Sequence, residues 1–399
     1  MTHYPTGAKA LLIAIQTPSI KRQIGIPVLL WGRPGVGKSS FLEGLHREDF
    51  PVLTLIASIH DPTDFSGLPI QEDGKVKYAI PEWVEQFGED GNGLLFLDEL
   101  TTAPPAVQAA LLRVVLERKV GFHDLPDLVR IVAAANPPDL MTGGWELSPP
   151  LRNRFVHLQW DLPTSVYLEA LEKGFATAEL PEIDPIKHRE KLAGWKLLVS
   201  AFLKVSPNLL HTAPDSDPYA FASPRSWDFA AALMTSCELL GVSPLQNKGK
   251  NTTTSMELLK GCLGEGVAIP FLEFLKNLKL PDPTKVLDGE LDLQIENLND
   301  SEIYVFFGAL NSVLAQRFTD ADFYESALVY FNLTEAVFKN GRRDLIYVSL
   351  KKISKAGLLL KAMGSAQKAG GNASKKVMRH IQQLFSDEGL KEFIDVFEK

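Results

Sequence analysis

The stretch "GRPGVGKS", residues 32–39, decides the fold class of this chain of 399 residues. It has the pattern Gly, four residues, Gly-Lys-Ser that is typical of a nucleotide phosphate loop. A short apolar run, "PVLLW" (27–31), precedes the loop, and a helix-like segment, "KSSFLEGL" (38–45), begins within it. A phosphate loop requires this order of strand, loop and helix, so the stretch predicts an α/β nucleotide-binding core.

The glycines of the loop let backbone amides turn toward phosphate oxygens, because no Cβ blocks the turn. The N-terminus of the following helix adds its own amides and a partial positive charge. Lys38 is expected to reach the β- and γ-phosphates, and the Ser39 hydroxyl is expected to bind Mg²⁺. The predicted nucleotide-binding residues are Gly32, Arg33, Pro34, Gly35, Val36, Gly37, Lys38, Ser39, Ser40 and Asp98.

A second apolar run, "LLFLDEL" (94–100), supplies the acidic residues that such a loop requires. Asp98, at the end of the predicted strand, is expected to hold Mg²⁺ through a water molecule. Glu99 is expected to polarise a water for in-line attack on the γ-phosphate. Phosphate-loop kinases transfer to a substrate hydroxyl and need no such carboxylate, so Glu99 favours hydrolysis.

A third apolar run, "RIVAAANP" (130–137), ends in Asn136. A neutral amide there can bond the attacking water or the γ-phosphate without neutralising Glu99. The alternative is a turn asparagine ahead of two prolines, and the residues alone do not choose between the two.

Short apolar runs alternate with helix-like segments through residues 1–160, which indicates a parallel sheet covered on both faces. The runs "PVLTLIA" (51–57) and "FVHLQW" (155–160) bring the predicted strands to five. Beyond them, apolar residues recur at helical spacing. The sequence predicts an α/β core over residues 1–160, a helical lid over 161–284 and a C-terminal helical region over 285–399, which is a candidate for partner binding.

The composition, with 45% hydrophobic and 23% charged residues, is that of a globular protein. No apolar run approaches the ~20 residues of a membrane span, and no leader pattern stands at the N-terminus. We therefore expect no membrane insertion and a cytoplasmic location. The two cysteines, Cys237 and Cys262, predict buried thiols rather than a disulfide or a metal site.

The net charge of −8 disfavours a general nucleic-acid binder, but the charge is unevenly spread. Residues 339–379 contain eleven Lys and Arg against one acid, a net +10, so the remainder carries −18. This basic segment is interpreted as solvated surface or as a dock for an acidic partner, including the acidic remainder of this chain in an assembly of its copies. Nucleic-acid binding stays the alternative.

Five motifs, in order, resemble those of the AAA+ ATPases, and more narrowly of their MoxR-like, dynein-related branch. They are "GRPGVGKS", "LLFLDEL", "AAANP", "LSPPLRNRF" (147–155) and "ASPRS" (222–226), spread over slightly more than half of the chain. The resemblance implies ATP bound between adjacent subunits of a ring, typically a hexamer. It implies Asn136 as sensor 1, Arg154 as the arginine finger that reaches the neighbour's γ-phosphate, and Arg225 as sensor 2. In this branch an extra lid helix displaces the lid, so Arg225 is also a candidate to act on a neighbour's ATP.

One position departs from the family's pattern. Many relatives carry Asp before the finger arginine, whereas this chain has Asn153, with Arg152 before it. The choice between Arg152 and Arg154 as the finger therefore stays open, although "RF" at the start of a strand favours Arg154.

The resemblance also implies two insertions that project toward the pore or axial face of the ring. Residues 58–87 match the helix-2 insertion, with "DGK" (73–75) as a hairpin tip, and residues 116–130 match the pre-sensor-1 hairpin. Aromatic residues in these segments are candidates for exposed rings that contact a substrate, although simple packing is the favoured interpretation for any one of them; they are Phe65, Tyr78 and Phe122.

Taken together, the motifs predict a ring-forming, Mg²⁺-dependent ATPase that couples hydrolysis to remodelling or activation of a protein partner, as a chaperone does. Relatives of this branch often act with proteins that carry a von Willebrand A domain, so the resemblance implies a partner of that kind. The alternatives are a nucleic-acid motor or loader and a nucleotide-switched scaffold with low turnover.

Overall fold

The computed structural model describes residues 4–19, 23–88, 91–140, 144–175, 177–245 and 253–386. The chain divides into two compact units. The first lies within residues 1–199 and 206–276, and the second within 200–205 and 277–399. The predicted boundary at residue 160 lies inside the first unit, and the three-part division of the chain stays a prediction.

The first unit is built around a parallel sheet. Its strands are β1 (Val28–Trp31), β2 (Val52–Ile56), β3 (Leu68–Glu72), β4 (Lys75–Ala79), β5 (Gly93–Asp98), β6 (Lys119–Val120), β7 (His123–Asp124), β8 (Val129–Ala135) and β9 (Val156–Gln159). Five of them form one sheet in the order β2-β5-β8-β1-β9, with every neighbouring pair parallel. β1 and β8 are buried along their whole length, as strands covered on both faces must be. The predicted α/β fold with a five-stranded parallel sheet is confirmed.

The helices of the first unit cover this sheet and continue beyond it. They are α1 (Ala8–Gln16), α2 (Lys38–Glu43), α3 (Thr63–Ser66), α4 (Pro105–Glu117), α5 (Pro149–Arg152), α6 (Thr164–Lys173), α7 (Pro185–Val205), α8 (Pro224–Leu239), α9 (Thr253–Leu263) and α10 (Glu265–Asn277). The last six residues of α7 and the last residue of α10 are assigned to the second unit. A capping box formed by Ser223 and Ser226 begins α8. α9 packs on the edge strand β9, where a Cβ on Gly261 would lie 2.3 Å from the carbonyl oxygen of His157.

Two small hairpins lie where the resemblance places insertions. β3 and β4 pair antiparallel around Asp73 and Gly74, which both have positive φ, as a tight hairpin turn requires. β6 and β7 form the second hairpin. The two insertions touch, because a Cβ on Gly121 would lie 2.7 Å from the carbonyl oxygen of Ser66.

The three aromatic candidates of the insertions differ in exposure. Phe65 is 1% exposed and belongs to a hydrophobic core cluster formed with residues of the sheet and α4. The prediction of an exposed aromatic ring at this position is therefore wrong, and the packing interpretation holds. Phe122 is 67% exposed, and its ring lies 5.1 Å from the ring of the half-buried Tyr78. Phe65 packs inward because α3, a single turn, directs it against α4 and the strands.

The second unit is helical. It contains α11 (Pro283–Leu287), α12 (Asp300–Gln316), α13 (Phe323–Lys339), α14 (Tyr347–Lys355), α15 (Leu358–Ala369) and α16 (Asn372–Ser386). Edge-to-face contacts connect Phe307, Tyr330 and Phe331 in its core. Most cations of the basic segment are exposed on these helices; they include Lys339, Lys351, Lys352, Lys355, Lys368, Lys375, Lys376 and Arg379.

Two further observations concern the described ranges only. No helix in them combines the length and apolar character needed to cross a membrane. Both cysteines are free and buried, and burial raises the pKa of the Cys237 thiol to about 12 and that of Cys262 further.

Candidate nucleotide-binding site

The phosphate loop connects β1 to α2, and its three glycines have two different reasons to be glycine. Gly35 and Gly37 have φ of +78° and +79°, and a Cβ on either would meet nothing within 4 Å. The left-handed backbone itself therefore requires glycine there, and the space above the loop is open to a ligand. Gly32 is constrained by packing instead, because its Cβ would lie 2.6 Å from the carbonyl oxygen of Trp160.

Lys38 begins α2 and is only 9% exposed. Its ammonium donates to the carbonyl oxygens of Gly32, at 2.5 Å, and Arg33, at 3.1 Å. Burial lowers the pKa of Lys38, and the negative charge of Asp98 partly opposes that shift. Phosphate oxygens are charged acceptors and bond an ammonium more strongly than carbonyls do, so Lys38 is placed to exchange these partners for phosphate.

Ser39 and Asp98 meet at the point where the sequence predicts the magnesium site. The Ser39 hydroxyl donates to Asp98 Oδ2 at 2.8 Å, and the backbone N–H of Glu99 donates to Asp98 Oδ1 at 2.9 Å. Mg²⁺ in nucleotide sites is held by one or two such oxygen ligands together with water and phosphate oxygens. The residues present therefore fit the ion, while their role stays a prediction.

Glu99 follows β5 in a backbone conformation that is rare for its residue type. Its φ is +57° and its ψ is +38°, in the left-handed region that costs a non-glycine residue roughly 1–2 kcal/mol. The Ser58 hydroxyl donates to Glu99 Oε2 at 2.8 Å, and the Thr102 hydroxyl donates to the Glu99 carbonyl oxygen at 2.7 Å. Residues in such strained backbone conformations cluster at functional sites, so the conformation supports a functional role for the exposed carboxylate of Glu99.

Ser58 also lies at the candidate site, although no specific pattern in the sequence points to it. It lies just beyond β2, and β2 pairs with β5 so that Ile56 is opposite Asp98. The available signal was a polar residue after a strand, but such residues are common. Only the strand order brings Ser58 to Glu99.

Asn136 directly follows β8, the strand that lies between β5 and β1. The register pairs Leu97 with Ala133 and Trp31 with Ala135. Asn136 therefore lies at the same carboxyl edge of the sheet as Asp98 and the phosphate loop. Its place agrees with the expected arrangement, and its role as sensor 1 stays a prediction.

Arg154 lies at the opposite end of the sheet from the phosphate loop. β9 runs parallel to β1, with Val156 opposite Val28 and Gln159 opposite Trp31. Arg154 precedes β9, whereas the phosphate loop follows β1. At a rise of about 3.3 Å per residue, ~10 Å of strand and the residues flanking it separate the two levels.

Arg225 lies beside Arg154 rather than beside the phosphate loop. Its Nη1 donates to Asn153 Oδ1 at 3.4 Å, so α8 meets the turn formed by residues 152–155. The pKa of Arg154 is lowered first by burial and then by the positive charge of Arg225. The two predicted phosphate-sensing arginines therefore form one group at the amino end of β9.

Arg152 is engaged within its own chain. Its guanidinium donates to the carbonyl oxygens of Pro214 and Pro218, and it lies 5.5 Å from the centre of the Phe221 ring. Arg154, by contrast, donates to the carbonyl oxygen of Pro150, one turn away. This difference favours Arg154 as the finger and Arg152 as the support of the turn.

A buried histidine connects the end of β1 with the same turn. Trp31 Nε1 donates to His157 Nδ1 at 2.9 Å, and His157 Nε2 lies 2.9 Å from the Arg152 carbonyl oxygen. Because an indole N–H can only donate, Nδ1 must accept and Nε2 must carry the proton. Burial lowers the pKa of His157 to about 4, so the ring is neutral at pH 7. No local pattern in the sequence points to this residue.

Comparison with protein families gives one domain match. Residues 27–155 match the model of the AAA domain (dynein-related subfamily). This segment begins just before β1 and ends at Phe155, so it contains the phosphate loop, Asp98, Glu99, Asn136 and Arg154.

Curated relatives match the chain over about a third of its length. The Nif-specific regulatory protein of Rhizobium meliloti (strain 1021) is 33% identical over 136 residues, which is 32% of this chain and 25% of the relative. The Psp operon transcriptional activator of Escherichia coli (strain K12) is 35% identical over 138 residues, 32% of this chain and 42% of the relative. Chaperone MoxR1 of Mycobacterium tuberculosis (strain ATCC 25618 / H37Rv) is 32% identical over 135 residues, 32% of this chain and 34% of the relative. The chain thus spans less than half of the length of each.

Proposed function

We propose, from the premise that residues 27–155 form an AAA ATPase domain of the dynein-related subfamily, that the chain assembles into a ring, hydrolyses ATP with Mg²⁺ and thereby remodels or activates a protein partner. The observation that carries this proposal is the separation of the site into two halves. The phosphate loop, Asp98, Glu99 and Asn136 share one edge of the sheet, whereas Arg154 and Arg225 share the other end.

Such a division is what a shared site requires. An arginine at the amino end of β9 is poorly placed for its own chain's γ-phosphate, but a ring can bring it to the phosphate loop of the next subunit. Phosphoryl transfer needs cations near the developing charge, and an arginine supplied in trans accelerates it by roughly 10³–10⁵-fold. The hexameric ring size is carried over from the family resemblance.

Within one site, each residue has a separate task. The amides of the phosphate loop and Lys38 bind and orient the phosphates, while Ser39 and Asp98 hold the metal position. Mg²⁺, when bound, neutralises phosphate charge. Glu99 accepts the proton of the attacking water, and Asn136 orients that water or the γ-phosphate. Ser58 donates to Glu99 Oε2, so the carboxylate can keep this hydrogen bond while its other oxygen, Oε1, accepts the proton of the water.

A protein partner is supported by the exposed apolar surface of the two hairpins. Leu68, Val76 and Phe122 are 58%, 66% and 67% exposed, and exposed apolar patches often mark protein interaction sites. A relative that matches this chain over its ATPase segment is named a chaperone. A partner with a von Willebrand A domain is the expectation that the family resemblance adds.

A nucleic-acid motor or loader is the second candidate, supported by the exposed cations of residues 339–379. Relatives named a regulatory protein and a transcriptional activator match 32% of this chain, as does the relative named a chaperone, so the names of the relatives do not decide between the two candidates. The remainder of the chain is negatively charged and would repel nucleic acid, so it favours a protein partner. Binding to DNA or RNA that falls steeply with salt and stimulates hydrolysis would favour the second candidate instead. A scaffold with low turnover is disfavoured by the presence of Glu99 together with Arg154.

The function is tested by turnover as a function of assembly. The rate of ATP hydrolysis per subunit should rise with protein concentration in parallel with ring formation, measured by light scattering on the same samples. Affinity capture with the Glu99→Gln variant and ATP should then retain a protein partner. Full turnover in a monomer would contradict the shared site, and turnover near background in assembled, partner-bound samples would favour the scaffold.

A further inference from the structure

Asn153 occupies the junction between the turn that carries Arg154 and the helix that carries Arg225. Its Nδ2 donates to the Phe221 carbonyl oxygen at 3.1 Å, and its Oδ1 accepts from the Ser223 hydroxyl at 2.7 Å. Arg225 adds a longer hydrogen bond to the same oxygen, at 3.4 Å. Both ends of the amide are thus used.

The hydrogen-bond partners fix the orientation of this amide. A half-turn of the side chain would set Nδ2 against the Arg225 guanidinium and Oδ1 against the Phe221 carbonyl oxygen, and both contacts would be repulsive. Ser223 is also the N-cap of α8, whose backbone it bonds at Ser226 N. The amide therefore connects the turn directly to the first residue before α8.

Arg154 and Arg225 carry like charges close to each other, so their proximity requires a stabilising contact. In the ranges that the structure describes, neither guanidinium forms an ion pair with a carboxylate, and the charge of Arg225 contributes to the lowered pKa of Arg154. Two unneutralised cations repel each other unless an anion lies between them or a tether holds their backbones. Asn153 supplies the tether, and a phosphate group is the anion that such a pair would bind.

We propose that Asn153 is a positioning residue that ties α8 to the finger turn, so that Arg154 and Arg225 are presented together to the phosphates of the neighbouring subunit's ATP. The inference rests on the proposed function, because it requires the two arginines to act across a subunit boundary.

The test compares Asn153→Ala, Asn153→Asp and Asn153→Ser with the unaltered protein as assembled rings. Asn153→Ala should lower kcat about tenfold or more while KM for ATP changes by less than about twofold, because remote positioning affects the transition state. Asn153→Asp and Asn153→Ser keep an oxygen acceptor for Ser223 but lose the amide donor to the Phe221 carbonyl oxygen, so each should restore only part of the lost turnover. Asn299→Ala removes an asparagine side chain that caps α12 in the second unit and is the control, with kcat expected to be unchanged.

Mixed rings distinguish positioning from damage to the fold. Asn153→Ala subunits mixed with Lys38→Ala subunits should regain turnover, because the Lys38→Ala neighbour supplies an intact Asn153, Arg154 and Arg225. Wild-type kcat in Asn153→Ala rings, or a loss that Lys38→Ala does not rescue although Arg154→Ala is rescued, would overturn the inference and leave the proposed function standing. Failure of Arg154→Ala to be rescued would instead contradict the proposed function.

If an Asn153 variant does not assemble into rings, the same hydrogen bond is tested by changing its other partner, Ser223. Ser223→Ala removes the hydroxyl that donates to Asn153 and should lower kcat in the same way. Wild-type turnover of assembled Ser223→Ala rings would overturn the proposal that Asn153 ties α8 to the turn that carries Arg154.

Discussion

The hydroxyl of Ser39 donates to Asp98 Oδ2 at 2.8 Å, although the two residues lie 59 positions apart in the chain. Ser39 lies in the first turn of α2, which follows β1, and Asp98 ends β5, which lies two places from β1 in the sheet. Only the topology of the parallel sheet brings them together, and the pair offers the two oxygen types that Mg²⁺ binds beside a nucleotide.

Ser39→Ala should therefore weaken the magnesium-dependent part of ATP binding. We expect a loss of affinity of about tenfold, or ~1.4 kcal/mol, in the presence of Mg²⁺ and little change when the metal is chelated. Calorimetric titration with ATP under both conditions measures the difference. Ser312→Ala, which removes an exposed hydroxyl that donates to the Gly308 carbonyl oxygen, is the control. If Mg²⁺ strengthened binding to Ser39→Ala as much as to the unaltered protein, Ser39 would not be a metal ligand.

The two kinds of glycine in the phosphate loop predict two different defects. Gly35→Ala meets open space and should cost roughly 1–2 kcal/mol of backbone strain, so the protein folds but binds phosphate poorly. Gly32→Ala places a Cβ 2.6 Å from a backbone oxygen that cannot move easily, and it should be the more destabilising change. Urea unfolding and ATP titration of both variants test the distinction. A Gly35→Ala protein less stable than Gly32→Ala would contradict it.

Glu99→Gln keeps the shape of the side chain and an oxygen that can accept from Ser58, but it cannot take a proton from water. ATP binding and assembly should persist while turnover falls by about 10²–10⁴-fold, the usual contribution of a general base. Single-turnover hydrolysis measures the chemical step directly. Glu190→Gln, an exposed change on α7, should leave it unaltered. Normal hydrolysis by Glu99→Gln would show that another group activates the water.

His157 predicts a loss of stability in mild acid. Its folded pKa of about 4 lies below its ordinary value of 6.5, so between these values the unfolded chain binds a proton that the folded chain does not. Stability contributed by this group is complete above pH 6.5 and decreases by about 3 kcal/mol as the pH falls to 4. His188 has the same direction of shift, also through burial, so the difference between the unaltered protein and His157→Asn is the quantity to measure.

Urea unfolding at pH 7 and pH 4.5 gives that difference, because the carboxylates common to both proteins cancel. Asn keeps an acceptor for Trp31 Nε1 and does not titrate. An equal pH dependence in the two proteins would mean that His157 is not held neutral by its buried contacts.

Much of the fold and of one half of the site could be predicted from the sequence, because the decisive residues belong to short local patterns. The match of residues 27–155 to the AAA domain model agrees with the predicted AAA+ core, while ATP hydrolysis by the chain stays a proposal. Lys38 and Glu99 could be proposed as site residues because a phosphate loop and a buried strand that ends in acids are each recognisable within a few positions; their roles stay predictions.

The remaining contacts depend on which strands lie side by side. Ser58 reaches Glu99 only because β2 pairs with β5, and His157 reaches Trp31 only because β9 pairs with β1. No local pattern encodes either neighbour. The burial of Phe65 could not be predicted for a similar reason, because it follows from the packing of α3 and not from the position of Phe65 in a polar insertion.

The division of the ATP site between two subunits is tested most directly by mixing two inactive proteins. Arg154→Ala should bind ATP and hydrolyse it poorly, and Lys38→Ala should fail to bind it. Rings that contain both should regain a measurable part of the wild-type turnover, because an intact phosphate loop on one subunit then meets an intact Arg154 on the next. Mixed rings, proven by mass analysis, that stay as inactive as either parent would contradict an arginine that acts across the boundary.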